Sequence, residues 1–138
     1  MHLIEASEAD MKAAGFFREL PHGLPSGDAI FDAERDALGP DERATVAAYL
    51  RGCHVIAATS VLADDVLDPS LKAVSPISVH TDGESVWPED FAYYVETYGI
   101  SPPTALLERA MHNDPPAVPS TRCDDIIAWM QQGMPRES

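Results

Sequence analysis

The chain has 138 residues, 45% of them hydrophobic, which fits one domain with a sizeable core, leaves little room for two, and argues against gross disorder. Its 23 acids face nine bases, a formal charge of −14, divided as ten acids and four bases over residues 1–50, eight and two over 51–100, and five and three over 101–138. A surface acidic throughout repels nucleic acid and anionic membrane, which both require a basic patch, and it suits a basic protein partner.

In chain order, Ser7 reads as the cap of a first helix, with Met11, Ala14 and Phe17 at helical spacing and a stop near Leu20, before Pro21 and Gly23. A second helix is expected after Ser26, through Ile30, Ala33 and Ala37, closing at Gly39. Pro40 then opens a third, with Val46, Ala47 and Leu50 as its apolar stripe and Gly52 as its stop. Val55 to Thr59 is apolar at both parities, the pattern of a strand buried on both faces. Residues 61–72 read as a short strand and a loop broken at Pro69.

Asp82-Gly83 marks a type I′ hairpin turn. That turn pairs Thr81 with Glu84, His80 with Ser85, Val79 with Val86 and Ser78 with Trp87. Val79 and Val86 then face the core, and Ser78, His80, Ser85 and Trp87 share a polar face with one aromatic ring. Pro88 starts a helix with Glu89 and Asp90 at its positive end; Phe91, Tyr94, Val95 and Tyr98 form its stripe and Gly99 its C-cap. Residues 103–112 form another helix, 113–120 a proline-rich linker, and 121–132 a last helix carrying Ile126, Ile127, Trp129 and Met130. The expected fold class is α+β, with a small antiparallel sheet of strands near 53–60, 74–81 and 84–87 packed with about five to six helices. Residues 1–112 make one domain, and 121–138 dock on it or swap onto a neighbour.

Chemistry-bearing strings are few. Asp64, Asp65 and Asp68 spell D-D-x-x-D, which resembles the metal–diphosphate motif of terpene-forming enzymes, but Pro69 follows at once and the setting is strand or loop. A solvated acidic loop is the expectation, with a weak cation site as the alternative. The five histidines form no metal-binding pair one helical turn apart, and His80 alone stands on a face with potential partners. Cys53 and Cys123 make no disulfide framework, and Cys53 and His54, as neighbours on a strand, point to opposite faces. No seryl-hydrolase, P-loop or dinucleotide signature is present, so no catalytic residue, metal or cofactor is expected. No signal-like or membrane-spanning run stands out, and a cytoplasmic location is the expectation.

One aromatic and acidic cluster remains: Asp82, Glu84, Trp87, Glu89, Asp90, Tyr93 and Glu96. Either Trp87 and the tyrosines are core, or the cluster is a partner-binding patch in which aromatic anchors are ringed by acids that select a basic protein. Tyr93, off the helical stripe, divides the two.

The run from Thr81 to Val95, T-D-G-E-S-V-W-P-E-D-F-A-Y-Y-V, resembles a segment of a family of small, actinomycete-type bacterial proteins. The stretches 48–52 and 15–20 are similar to theirs as well. The resemblance implies no activity, cofactor or site residue that carries over. The functional expectation is an acidic, non-enzymatic protein-binding module, of which an immunity-type inhibitor of a basic toxin is the sharpest form. The alternatives are a small enzyme using scattered carboxylates and His80, and a structural protein that forms a homo-oligomer through the C-terminal helix.

Overall fold

The computed structural model describes residues 11–132, apart from 22, 25 and 26. Strands β1 (Lys12–Ala13), β2 (His54–Ala57), β5 (Val79–Thr81) and β6 (Ser85–Pro88) form one sheet in the order β1-β6-β5-β2. Strands β3 (Leu62–Ala63) and β4 (Ser75–Pro76) form a second, antiparallel pair. Among the described residues there are four α-helices: α1 (Pro40–Gly52), α2 (Glu89–Tyr98), α3 (Thr104–His112) and α4 (Ser120–Gln131). The class is α+β as expected, with fewer helices than expected and with a mixed sheet, because β1 runs parallel to β6.

The missing helices lie in residues 11–39. Ser7, read as the cap of the first, and Ser26, after which the second was expected, lie outside the described residues. From Met11 onward the chain joins the sheet: the Lys12 and Ala14 amides donate to the Glu84 and Val86 carbonyls at 3.2 and 2.8 Å. Gly15 then takes φ +75°, which breaks any helix there. Met11 and Phe16 bury on one side of the sheet, while Ala14 and Phe17 pack on the other. The helical spacing is thus that of a strand-and-turn weaving between two cores. Of the second helix only one 3₁₀ turn forms, Ile30–Asp32, its Ile30 amide capped by Glu19 Oε1 at 2.8 Å. The chain beyond it is pinned instead to the end of α2, through Asp36 N to Tyr98 O (2.7 Å) and Leu38 N to Gly99 O (3.1 Å).

Helix α1 follows its local code. Pro40 occupies the first turn, and Glu42 Oε1 accepts the Gly39 amide at 2.9 Å. Val46, Ala47, Tyr49 and Leu50 are its buried residues. Helix α2 buries Phe91, Tyr94 and Val95 and ends where the Gly99 amide meets the Val95 carbonyl at 2.9 Å.

The hairpin register differs by two residues from the type I′ expectation. Val79 pairs with Pro88, His80 with Trp87 and Thr81 with Val86. Side chains hold the wider loop: Asp82 Oδ1 accepts the Glu84 and Ser85 amides (3.0 and 2.9 Å), and Thr81 Oγ1 donates to Ser85 O at 2.7 Å. A one-residue slip would have exchanged the faces, and a two-residue shift keeps them. Val79 and Val86 do face one core, with Met11, Phe16, Ile126 and Trp129. The opposite face is not solvated: Trp87 lies in the larger core with Tyr49, Leu50, Phe91, Tyr94 and Leu106. Helix α4 thus packs Ile126 and Trp129 on one face of the hairpin, and α1 and α2 cover the other. Strand β2, expected to be buried on both faces, is mostly exposed because it lies at the sheet edge.

Candidate functional site

The seven residues of the aromatic and acidic cluster do not come together on the surface. The Trp87 side chain is 0% exposed, stacks on Tyr49 at 6.4 Å between centroids, and donates Nε1–H to Leu50 O at 3.1 Å. Asp82 and Asp90 are buried, and Glu89 and Tyr93 are half-buried. Glu84 and Glu96 alone are exposed; Glu96 pairs with Arg51 at 2.8 Å and Glu84 faces Arg109 at 3.7 Å. The core reading of Trp87 is the one observed, because α1 covers the hairpin face that its polar residues suggested was wet.

Three buried polar centres account for most of the acids that the sequence made conspicuous. Asp65, from the D-D-x-x-D string, ties the β3–β4 loop to α2. Its Oδ2 accepts Tyr93 OH at 2.7 Å and Tyr98 OH at 2.6 Å, and its Oδ1 accepts the Leu67 and Asp68 amides at 2.7 and 3.0 Å. Tyr94 OH accepts the Val66 amide at 2.8 Å. Burial pushes the Asp65 carboxyl up, but the bonds from Tyr98, Tyr93 and the two amides outweigh it and hold the group below the usual carboxylate range. Asp64 accepts the Ala73 amide and faces Lys72, and Asp68 accepts from Ser70. The string is therefore a loop-shaping device. Among the described residues no group of three or more His, Cys, Asp or Glu side chains is arranged to hold a metal ion.

Asp82 is the second centre. Its Oδ2 accepts Tyr49 OH at 2.8 Å and Arg109 Nε–H at 2.7 Å, while Arg109 Nη2 reaches Ser85 Oγ at 2.8 Å. Burial again raises the carboxyl, and Arg109 with the loop amides overcomes it, leaving the group below its ordinary value. Burial pushes the neighbouring Cys53 thiol up to about 12, with Asp82 adding to the effect, so the thiolate needed for nucleophilic chemistry is disfavoured.

The third centre joins β5 to the start of α2. His80 gives Nδ1–H to the Cys53 carbonyl at 2.9 Å, and its Nε2 meets Glu89 Oε1 at 3.1 Å. Next to it, Asp90 is 1% exposed, and neither of its carboxyl oxygens has a hydrogen-bond partner. Burial pushes it up to about 7; the amides of Asp90 and Phe91 lean the other way without aligning as hydrogen bonds, and Glu89 adds repulsion.

A concavity lies elsewhere. It is an open groove of about 800 Å³ between residues 13–18, 27–37 and 100–103. Ala14, Phe16, Phe91, Ile100 and Pro102 are its buried apolar lining. Asp28, Asp32 and Glu34 are its exposed acids, with Arg18 the one base among its lining residues. Beside it Phe31 is 58% exposed, an unusual position for a large ring. Sequence reasoning placed these acids on a helix and missed the groove, because three distant segments build it. The signal it contained was the density of acids over residues 28–36 beside Gly and Pro.

No family model, curated protein or solved structure matches the chain. Function therefore rests on the geometry of the molecule itself. Among the described residues no helix is long and apolar enough to cross a membrane.

Proposed function

We propose that the chain is an acidic, non-enzymatic protein-binding module that receives a basic, partly apolar segment of its partner in the groove beside the 3₁₀ turn. One observation carries this reading: a concavity of about 800 Å³ in which buried apolar side chains and the exposed carboxylates of Asp28, Asp32 and Glu34 converge. A partner's aliphatic or aromatic side chain would fill the apolar lining, while Lys or Arg beside it would meet the acids. The charge of −14 would speed the encounter with any basic protein. An inhibitor of a basic toxin is the most specific form of the proposal.

Three groups that an enzymatic reading would call on are already engaged in the fold. His80 is bonded through both ring nitrogens, Asp65 and Asp82 are saturated with donors, and all lie outside the groove. The test is a titration of the isotope-labelled chain with a synthetic peptide alternating Lys and Phe, followed by amide chemical shifts. Perturbation concentrated at Ala14, Phe17, Ala29 and Ala33, and lost in the Asp28→Lys, Asp32→Lys, Glu34→Lys triple variant, supports the groove. Shifts scattered evenly over the acidic surface, or none, would reject it.

A further inference from the structure

The two edges of the main sheet are unlike one another. On one side the edge strand is β1, two residues long, carrying exposed Lys12. A short strand with a lysine is a usual way of keeping an edge from pairing. On the other side the edge strand is β2, four residues long and without a Lys, Arg, Asp or Glu side chain. It lies within residues 52–63 (GCHVIAATSVLA), the longest stretch of the chain without Asp, Glu, Lys or Arg. Val55, Val61 and Leu62 are 43%, 57% and 52% exposed along this stretch. Strand β2 is laddered to β5 on its inner side, with an irregularity between Val55 and Ala57, and among the described residues no other strand pairs with its outer side.

We infer that β2 is a docking edge for the same strand of a second copy, the two running antiparallel so that the two main sheets become continuous. A bare strand edge presents backbone donors and acceptors, so the chemistry that satisfies it is another strand. The charge pattern selects which strand. The strip offers no carboxylate to a basic segment, so a basic partner finds nothing there to pair with. Two bodies of charge −14 repel, and they approach most cheaply where neither presents a charge. The β2 strip meets that condition, and an antiparallel pairing about a twofold axis places Val55 and its neighbours against their own copies. This surface is distinct from the groove and does not depend on the reading given to it. It is also distinct from α4, whose Ile127 is the exposed apolar residue through which a terminal-helix dimer would form.

The repulsion between the bodies gives the inference a signature. Salt weakens association held by opposite charges, whereas here it screens like charges and strengthens association. The experiment is light scattering of the full chain over a wide concentration range at low and high salt, with Val55→Glu, Ala57→Glu and Ile127→Glu measured alongside. The three positions are exposed, and circular dichroism checks that each variant is folded. The expected result is a mass rising from 15.0 kDa toward twice that value, more readily in high salt. The rise should be lost in Val55→Glu and Ala57→Glu and kept in Ile127→Glu. Amide exchange at Val55, Ile56 and Ala57 should slow as concentration increases. A chain that stays at the monomer mass in all conditions would overturn the inference. So would association that survives both edge variants, or that disappears in Ile127→Glu.

Discussion

Arg109 donates Nε–H to Asp82 at 2.7 Å, so a residue of α3 closes the loop of a hairpin that precedes it by 27 positions. The Asp82 side chain is fully buried and that of Arg109 is 19% exposed. Removing the cation strands a buried carboxylate, which costs more than the pair itself contributes. Arg109→Met should therefore lower unfolding free energy by on the order of 3 kcal/mol in urea melts. Arg109→Lys should recover only part of this, because an ammonium cannot bridge Asp82 and Ser85 Oγ as the guanidinium does.

Asp90 gives the opposite sign to Asp65 and Asp82. Its carboxyl moves from an ordinary 3.8 up to about 7, so between those values the unfolded chain releases a proton that the folded chain keeps. Its contribution to stability falls as pH rises through that window and is flat above it, by up to about 4 kcal/mol at 1.36 kcal/mol per unit. Asp90→Asn should then be more stable than the parent at pH 8, with the gain shrinking toward pH 5. Chemical denaturation at the two values reads this directly, and a gain independent of pH would reject it.

Asp65 and Asp82 lie below their ordinary 3.8, so the stability they confer is complete above that value and lost on acidification below it. For Asp65 the donors can be removed singly. Tyr93→Phe and Tyr98→Phe should each cost about 1.5–3 kcal/mol, the range for hydrogen bonds to a charged group. Because both hydroxyls share one oxygen, the double variant should not equal the sum. The oxygens of Asp65 are already taken by these donors, so magnesium or calcium should not raise the melting temperature through this loop.

Gly15 and Gly83 both have positive φ, +75° and +96°. A Cβ on Gly83 would meet nothing within 4 Å, whereas one on Gly15 would lie 2.3 Å from Cγ of Phe91. Gly83→Ala should cost about 1 kcal/mol of backbone strain. Gly15→Ala should cost more, since the buried Phe91 ring must move as well, and its effect should appear in the near-ultraviolet signal of the aromatic core.

Helices α1 and α2 were legible in the sequence because their signals are local. Pro40 and Gly52 bracket one, and Pro88, the Phe91–Tyr94–Val95 stripe and Gly99 define the other. Residues 11–38 were misread because Met11, Ala14 and Phe17 satisfy helical spacing while the bonds that decide their shape go to Glu84 and Val86. Spacing along the chain carries no record of such partners. The hairpin was found, but Asp82 was read as a turn former when its carboxylate is the hub of the loop. The faces survived that error and their solvation did not: His80, Ser85 and Trp87 look like a wet face until α1 lies over them. For the same reason the partner patch around Trp87 dissolved into structural bonds. The groove was invisible because the Asp28 to Glu34 turn faces Pro102, about seventy positions away, and nothing local couples them.

The parallel pairing of β1 with β6 sets Lys12 against Ser85. A chain emerging from the ribosome makes β1 about seventy residues before β6, the strand it pairs with. Until then Met11 and Phe16 lack the buried residues they pack with, since Val79, Val86, Ile126 and Trp129 all lie downstream. The order of synthesis thus delays the enclosure of Met11 and Phe16, and sheet completion waits on the slow closure of a long loop.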